Sequence, residues 1–130
     1  MAINNWTKAI FEGRAITIYG DGNQTRDFTY VEDIIDGTIK AAETNGVEGE
    51  IFNLGAGSRI SVNEVVRILI DVSGIGSIQI IYQQPKLGDV RDTHANISKA
   101  SKMLGFRPKT RIKEGLEKFI LWYKKNRLKI

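Results

Sequence analysis

The chain has 130 residues, of which 42% are hydrophobic and 26% charged, and this composition is typical of one globular domain with a hydrophobic core. It contains no cysteine and a single histidine, which excludes disulfides and thiolate metal sites and disfavours a histidine-based metal site or a Ser-His-Asp triad. The net charge of +4 suits an anionic partner, although the basic C-terminal run (Lys124, Lys125, Arg127 and Lys129) lacks the aromatic residues typical of nucleic-acid binding. No apolar run reaches the roughly 20 residues of a membrane span, and no signal pattern precedes the first helix. We therefore expect a cytoplasmic protein with neither membrane nor nucleic acid as its partner.

The N-terminal part of the chain predicts a helix, a strand and a polar turn. Apolar residues at helical spacing lead up to Gly13, where a helix would end, and the run Ile16–Tyr19 predicts a short strand. A glycine-rich turn follows at 20–23. Arg26 then lies between this turn and the next predicted helix, where a phosphate would contact both. Taken alone, this pattern more often marks a polar turn with a surface arginine.

A second helix is predicted from Thr29 to about Asn45, because Thr29 and Glu32 have the spacing of a capping box. We expect one face of this helix to be buried, formed by Val31, Ile34, Ile35, Thr38 and Ala42. Glu50–Leu54 predicts a short buried strand that ends in the glycine-containing turn at 55–57.

The triplet Gly55-Ala56-Gly57 follows a predicted strand and precedes a helix, as a dinucleotide-binding loop does. The third glycine of that motif would fall at position 60, which is isoleucine. We therefore interpret the triplet as a turn. A second capping box, formed by Ser61 and Glu64, begins the next helix, which ends at Gly74.

The C-terminal part predicts one strand and two helices. The strand is Ile78–Tyr82, and a polar loop without periodicity follows at 83–93. Asn96 is positioned to cap a short helix, and Thr110 would begin the last one. Alternating helices and short strands are typical of α/β or α+β proteins.

The loop at 83–93 holds the most promising cluster of charges. Lys86, Asp89, Arg91 and Asp92 place two cations and two carboxylates beside a glycine. Cations suit phosphate oxygens and a carboxylate suits a ribose diol, although an exposed mixed-charge loop is the more common explanation. Tyr82 and Lys86 have the spacing of a catalytic Tyr-x-x-x-Lys pair, but Pro85 between them makes that role unsuitable.

Four segments occur in the order seen in one enzyme family, namely Tyr19–Asp33, Ile51–Gly57, Gly88–Arg91 and the run from Ala95 to Pro108. With them the chain resembles the C-terminal portion of extended short-chain dehydrogenase/reductases that act on nucleotide sugars. The resemblance is greatest to the UDP-glucose 4-epimerases and extends to the dTDP-glucose 4,6-dehydratases.

The resemblance implies roles for three residues, all in substrate binding. Arg26 corresponds to the family arginine that binds the nucleotide diphosphate. Lys86 stands where many members have a second phosphate-binding arginine; lysine keeps the charge but loses the bidentate fork. Asp89 corresponds to the acidic residue that hydrogen-bonds the ribose. No catalytic, cofactor-binding or metal-binding residue of this chain is implied.

The resemblance also implies an incomplete enzyme. Family members have a Rossmann half with a glycine-rich NAD loop and a Tyr-x-x-x-Lys pair, and neither can be placed in this sequence. Residues 1–130 are therefore expected to form one nucleotide-sugar-binding unit, an α/β (α+β-like) fragment with five helices and short strands. NAD would belong to the parent enzyme and not to this chain alone. Apolar surface built to meet the missing N-terminal half would favour self-association.

Two alternatives stay open at this point. The chain could be a segment of a dTDP-glucose 4,6-dehydratase-like enzyme, or a stand-alone binding or interaction module without catalytic activity. The sequence does not distinguish among epimerisation, dehydration and reduction in the parent enzyme, and it does not identify the sugar.

Overall fold

The computed structural model describes residues 2–128, which form five helices and four short strands. The helices are α1 (Ala2–Phe11), α2 (Val31–Glu43), α3 (Val62–Ser73), α4 (Ser98–Leu104) and α5 (Ile112–Arg127). The strands are β1 (Ile16–Tyr19), β2 (Thr25–Arg26), β3 (Ile60–Ser61) and β4 (Ile80–Gln83). The predicted mixed fold with five helices and short strands is confirmed, while Lys129 of the basic run lies outside the described residues. None of the described helices has the length and hydrophobicity to cross a bilayer.

The strands form two small sheets. β1 and β4 pair in parallel, with Ile16 opposite Ile80, so the strand predicted at Ile78–Tyr82 lies slightly later in the chain. β2 and β3 pair antiparallel, with Arg26 opposite Ile60. The second sheet therefore joins the segment around Arg26 to the start of α3.

The main core lies between β1 and the helices α1, α3 and α5. Its fully buried members come from all four elements and include Ile10, Ile16, Ile18, Val65, Val66, Leu69 and Ile120. Burying an aliphatic side chain of this size contributes about 1.5–3 kcal/mol. This core holds β1 rigidly, and β1 leads directly into the polar turn.

The start of α3 is the capping box predicted from the sequence. The Ser61 hydroxyl accepts the Glu64 N–H at 3.2 Å, and the Glu64 carboxylate accepts the Ser61 N–H at 3.2 Å. Gly74 ends the helix in the left-handed conformation, with φ of 74°. Both local signals are confirmed, and they fix α3 directly after β3.

The capping box predicted at the start of α2 is wrong. Tyr30 precedes the helix and makes no side-chain cap hydrogen bond. The Thr29 hydroxyl instead donates to Asp27 Oδ1 at 3.2 Å and accepts the N–H of Ala56 at 3.0 Å. The Thr29 hydroxyl therefore bonds with Asp27 and with the distant Ala56, and it does not cap α2.

The predicted burial of the apolar face of α2 is also wrong. Val31, Ile35 and Ile39 are 59%, 51% and 49% exposed, and their spacing places them along one side of the helix. The helix buries Asp33 and Gly37 instead. We call Val31, Ile35 and Ile39 the α2 stripe.

Glu50–Leu54 forms no strand, which contradicts the sequence prediction. No segment among residues 2–128 pairs with it, and Ile51 is 82% exposed. Phe52 and Leu54 pack against a smaller core cluster around Phe106. Phe52 and Leu54 therefore anchor one side of this apolar segment, and its other side, which includes Ile51, is exposed.

Candidate functional site

The polar turn between β1 and β2 needs glycine for two reasons. Gly20 and Gly22 have φ of 86° and 75°, a region that other residues rarely adopt. A Cβ at Gly22 would lie 2.0 Å from Oδ1 of Asn63. The Asn63 N–H donates to the Gly22 carbonyl at 2.9 Å, so the turn rests on the first residues of α3. This support directs the chain into β2 and places Arg26.

Arg26 is held in place by the protein and keeps donors free. Its side chain is 20% exposed. Nη1 donates to the carbonyls of Thr25 (2.8 Å) and Arg91 (3.1 Å), and Nη2 donates to Oδ1 of Asp89 at 2.5 Å. A guanidinium has five N–H groups, and these bonds use three, so two have no acceptor among residues 2–128 and remain for a ligand.

The charged loop predicted to be irregular lies along β2 like a third strand. The Thr25 N–H donates to the Arg91 carbonyl at 3.1 Å, and the Thr93 N–H donates to the Thr25 carbonyl at 3.2 Å. The Thr25 hydroxyl also donates to the Asp92 carboxylate. Arg91 reaches Asp21 in the turn with an N–O distance of 2.9 Å. The loop is thereby tied to both the turn and β2.

Two carboxylates of this network have lowered pKa values. The Thr25 hydroxyl is the main cause of the lowered pKa of Asp92. The backbone N–H of Asn23 is the main cause for the lowered pKa of Asp21, and the Arg91 guanidinium adds to it. Hydrogen bonds and a cation stabilise the ionised form in both cases.

Lys86 and Asp89 both face the same groove. The Asp89 N–H donates to the Lys86 carbonyl at 3.1 Å, which closes a turn with Gly88 at φ of 82°. Lys86 Nζ lies 4.0 Å from the centroid of the Tyr19 ring. Tyr82 instead donates to Oδ1 of Asn63 at 3.0 Å, so Tyr82 and Lys86 engage different partners, as expected.

The groove has a volume of about 880 Å³. Its walls come from α1, β1, β2 and the charged loop, and they include Trp6, Ala9, Thr17, Tyr19, Arg26, Phe28, Lys86 and Asp89. All three predicted substrate-binding residues therefore line one groove. Arg26, Lys86 and Asp89 form a polar wall of the groove. Aromatic and apolar residues, such as Trp6 and Phe28, form the adjacent wall.

One edge of β1 opens toward this groove. Ile16 and Gly20 donate their N–H groups to carbonyls next to and within β4. Alternate residues point the other way, so Thr17 and Tyr19 present their backbone groups at the opposite edge. The Thr17 carbonyl there accepts the indole N–H of Trp6 at 3.0 Å. The N–H groups of Thr17 and Tyr19 thus lie at an edge that no strand in residues 2–128 covers.

The 55–57 turn does not fit a dinucleotide. The carboxylate of Asp27 accepts the N–H groups of Ala56 (2.9 Å), Gly57 (3.1 Å) and Ala95 (3.1 Å). The amides that would cradle a pyrophosphate already bind this side chain, and Ile60 stands where a third glycine is needed. The interpretation as a turn agrees with these contacts.

Sequence reasoning missed the roles of Asp27, Tyr19 and Asp92. Asp27 follows Arg26 directly, and an aspartate near a glycine-containing turn is a signal for backbone binding. Tyr19 ends a strand beside the turn but had no pattern to mark it. No group of three or more histidine, aspartate or glutamate side chains suitable for a metal ion occurs in the part of the chain that the structure describes.

Comparison with known proteins agrees with the fold. Residues 1–55 match the model of the NAD dependent epimerase/dehydratase family. A UDP-glucuronate 4-epimerase from Thermodesulfobacterium geofontis is 42% identical over 127 residues, which are 97% of this chain. The chain belongs to this family. It spans only 38% of the length of that relative.

Solved structures show the same relation. UDP-glucuronic acid 4-epimerase from Bacillus cereus, in complex with UDP-glucuronic acid and NAD, matches with a TM-score of 0.91 and 36% identity over 96% of this chain and 40% of its own. UDP-glucose 4-epimerase from Thermotoga maritima, solved with UDP-glucose, matches with a TM-score of 0.88 and 30% identity over 96% and 40%. The fold of this chain is therefore that of a part of UDP-sugar epimerases.

Proposed function

We propose that this chain binds the nucleoside diphosphate of a UDP-sugar as the C-terminal part of an NAD-dependent 4-epimerase. The observation that carries the proposal is the convergence of Arg26, Lys86 and Asp89 on one groove, with Arg26 fixed and two of its N–H groups unused. Related structures contain UDP-sugars and NAD, which supports the same ligand class here.

Each wall of the groove suits one part of such a ligand. The two free donors of Arg26 and the ammonium of Lys86 neutralise diphosphate oxygens. The Asp89 carboxylate accepts hydrogen bonds from a ribose diol. A planar base fits beside the Tyr19 ring, where the open edge of β1 offers N–H groups to its carbonyl oxygens.

The relatives favour a particular sugar. Those named for UDP-glucuronic acid share 42% and 36% of residues with this chain, whereas the UDP-glucose 4-epimerase shares 30%. We infer that the parent enzyme acts on a UDP-uronic acid rather than on UDP-glucose. Binding the nucleotide handle of that substrate orients the sugar for a reaction at a distance from Arg26.

We further propose that catalysis belongs to a dinucleotide-binding half outside this chain. NAD, when bound, would accept a hydride from the substrate and return it. The amides of the 55–57 turn already donate to Asp27, which argues against NAD binding in this chain. The α2 stripe and the open side of Glu50–Leu54 offer that half an apolar docking surface. Residues 1–130 would then act as one binding unit that completes the enzyme only with this partner.

Calorimetric or NMR titration of the chain with UDP tests the binding role. We expect Arg26→Ala to weaken UDP binding by at least about tenfold, since a hydrogen bond to a charged group contributes about 1.5–3 kcal/mol. Arg107→Ala is the matched control, because it removes the same charge from an exposed position that does not line the groove. Equal affinities for the two variants would rule out the assignment of Arg26.

A further inference from the structure

Two residues of the charged loop contact the side chains to which the proposed nucleotide would bind. Asp89 places a carboxylate oxygen 2.5 Å from Nη2 of Arg26, as a phosphate oxygen would be placed. Lys86 places its ammonium 4.0 Å from the centroid of the Tyr19 ring, over the face on which a base would stack. The loop therefore makes contacts within the groove that compete with the ligand.

We propose that Asp89 sets the specificity of the groove for nucleoside diphosphates over inorganic pyrophosphate. This inference rests on the proposed nucleotide site. A diphosphate bound to the two free donors of Arg26 lies beside the Asp89 carboxylate, repels it and displaces it. A nucleoside diphosphate compensates, because its ribose diol donates hydrogen bonds to the displaced carboxylate. Pyrophosphate brings no hydroxyl group and leaves Asp89 beside added negative charge, which is unfavourable.

The loop is built so that this exchange needs little movement of the rest of the protein. All four residues of the turn 86–89 are exposed, and Gly88 has a positive φ. The chain is anchored after the turn by Asp92 on Thr25 and by Arg91 on Asp21, and before it by β4. Between these anchors Lys86 and Asp89 can change partners while Arg26 keeps its bonds to the two backbone carbonyls.

Titrations of the whole chain with sodium pyrophosphate and with UDP test the role of Asp89. We expect Asp89→Asn to strengthen pyrophosphate binding about threefold, the scale of one partly exposed ion pair, and to weaken UDP binding about threefold. The ratio of UDP affinity to pyrophosphate affinity would then fall about tenfold. Asp71→Asn is the matched control, because Asp71 is an exposed carboxylate 3.4 Å from Lys113 and does not line the groove.

The outcomes separate the two proposals. If UDP binding does not depend on Arg26, the nucleotide site itself is wrong and the role of Asp89 fails with it. If UDP binding depends on Arg26 but Asp89→Asn and Asp71→Asn have the same affinity ratio as each other, only the specificity role is overturned. Asp89→Ala serves as a second variant, and the amide spectrum of each variant verifies that the fold is retained.

Discussion

The carboxylate of Asp33 accepts the backbone N–H of Thr110 at 3.0 Å, which joins the first turn of α2 to the start of α5. The same carboxylate accepts the N–H of Lys109 at 3.1 Å, and Asp33 is buried. Since α5 belongs to the main core, this contact fastens the exposed helix α2 to the rest of the fold.

Replacement of Asp33 is expected to destabilise the chain in a graded manner. Asp33→Ala leaves two amides without an acceptor and should lower the free energy of unfolding by about 2–4 kcal/mol. Asp33→Asn keeps one acceptor oxygen and should cost about half as much. Urea denaturation measures both, and an alanine variant as stable as the wild type would show that these hydrogen bonds contribute no net stability.

Gly22→Ala is expected to damage both the turn and ligand binding. The new Cβ meets Asn63 at 2.0 Å and the residue must keep φ near 75°, so Asn63 has to move away from the turn. Gly13→Ala is the matched control, because Gly13 has φ of 65° with no atom within 4 Å of its Cβ position. The control isolates the backbone strain of about 1–2 kcal/mol.

We expect Gly22→Ala to lower the unfolding midpoint in urea more than Gly13→Ala does, and to weaken UDP binding where the control leaves it unchanged. Equal effects of the two substitutions on stability and on binding would mean that the contact with Asn63 does not support the turn.

The free energy of unfolding should depend on pH in the acid range, because carboxylates join the charged loop to the turn and to β2. Asp21 and Asp92 have lowered pKa values in the folded chain, so their ionised forms stabilise the fold. This contribution is fully present above their unfolded pKa of about 4 and is lost as the pH falls through the lower folded values. Unfolding midpoints in urea between pH 6 and pH 2.5 would show the loss.

Asp92→Asn should reduce the slope of stability against pH below about pH 4, because one linked proton is removed. Asp71→Asn is the matched control, because it also removes one exposed carboxylate, which lies 3.4 Å from Lys113 and outside the charged loop. A wild-type slope in the Asp92 variant would assign the acid sensitivity to other carboxylates, such as Glu64 in its capping box.

The α2 stripe is expected to make the chain self-associate when its proposed partner is absent. Ile35 lies at the centre of the stripe, and a charge there would be unfavourable in an apolar contact. Ile35→Lys should therefore reduce concentration-dependent association in sedimentation velocity experiments. Leu121→Lys places the same charge on an exposed leucine of α5 and is expected to have little effect. Equal reduction by both would indicate general solubility rather than a docking surface.

Local signals predicted part of this structure well. The Ser61–Glu64 capping box, Gly74 as the helix end and Ile16–Tyr19 as a strand all depend on residues close in sequence. The α2 start failed because Asp27 and Ala56 engage the Thr29 hydroxyl. The burial of the α2 stripe and the strand at Glu50–Leu54 failed for a different reason, since apolar patterns show that a surface can be buried but not which polypeptide covers it.

The sequence predicted some residues of the candidate site but not the contacts between them. The resemblance pointed to Arg26, Lys86 and Asp89 as ligands of one nucleotide, and the structure places them on one groove. It did not predict that Arg26 and Asp89 bind each other, because no sequence pattern describes a contact between residues so far apart. The position of Asp27 signals backbone binding, but local patterns do not show that its partners are the amides of the 55–57 turn.

The docking of the charged loop on β2 has a consequence for how the chain folds. The contacts that join these walls of the groove link residues separated by 63, 67 and 70 positions, as in Arg26 with Asp89, Thr25 with Asp92 and Asp21 with Arg91. Closing such long loops costs chain entropy before the contacts compensate, so we expect these walls to meet late in folding. The helices and β1 would be in place first, and the groove would be among the last parts of the molecule to assemble.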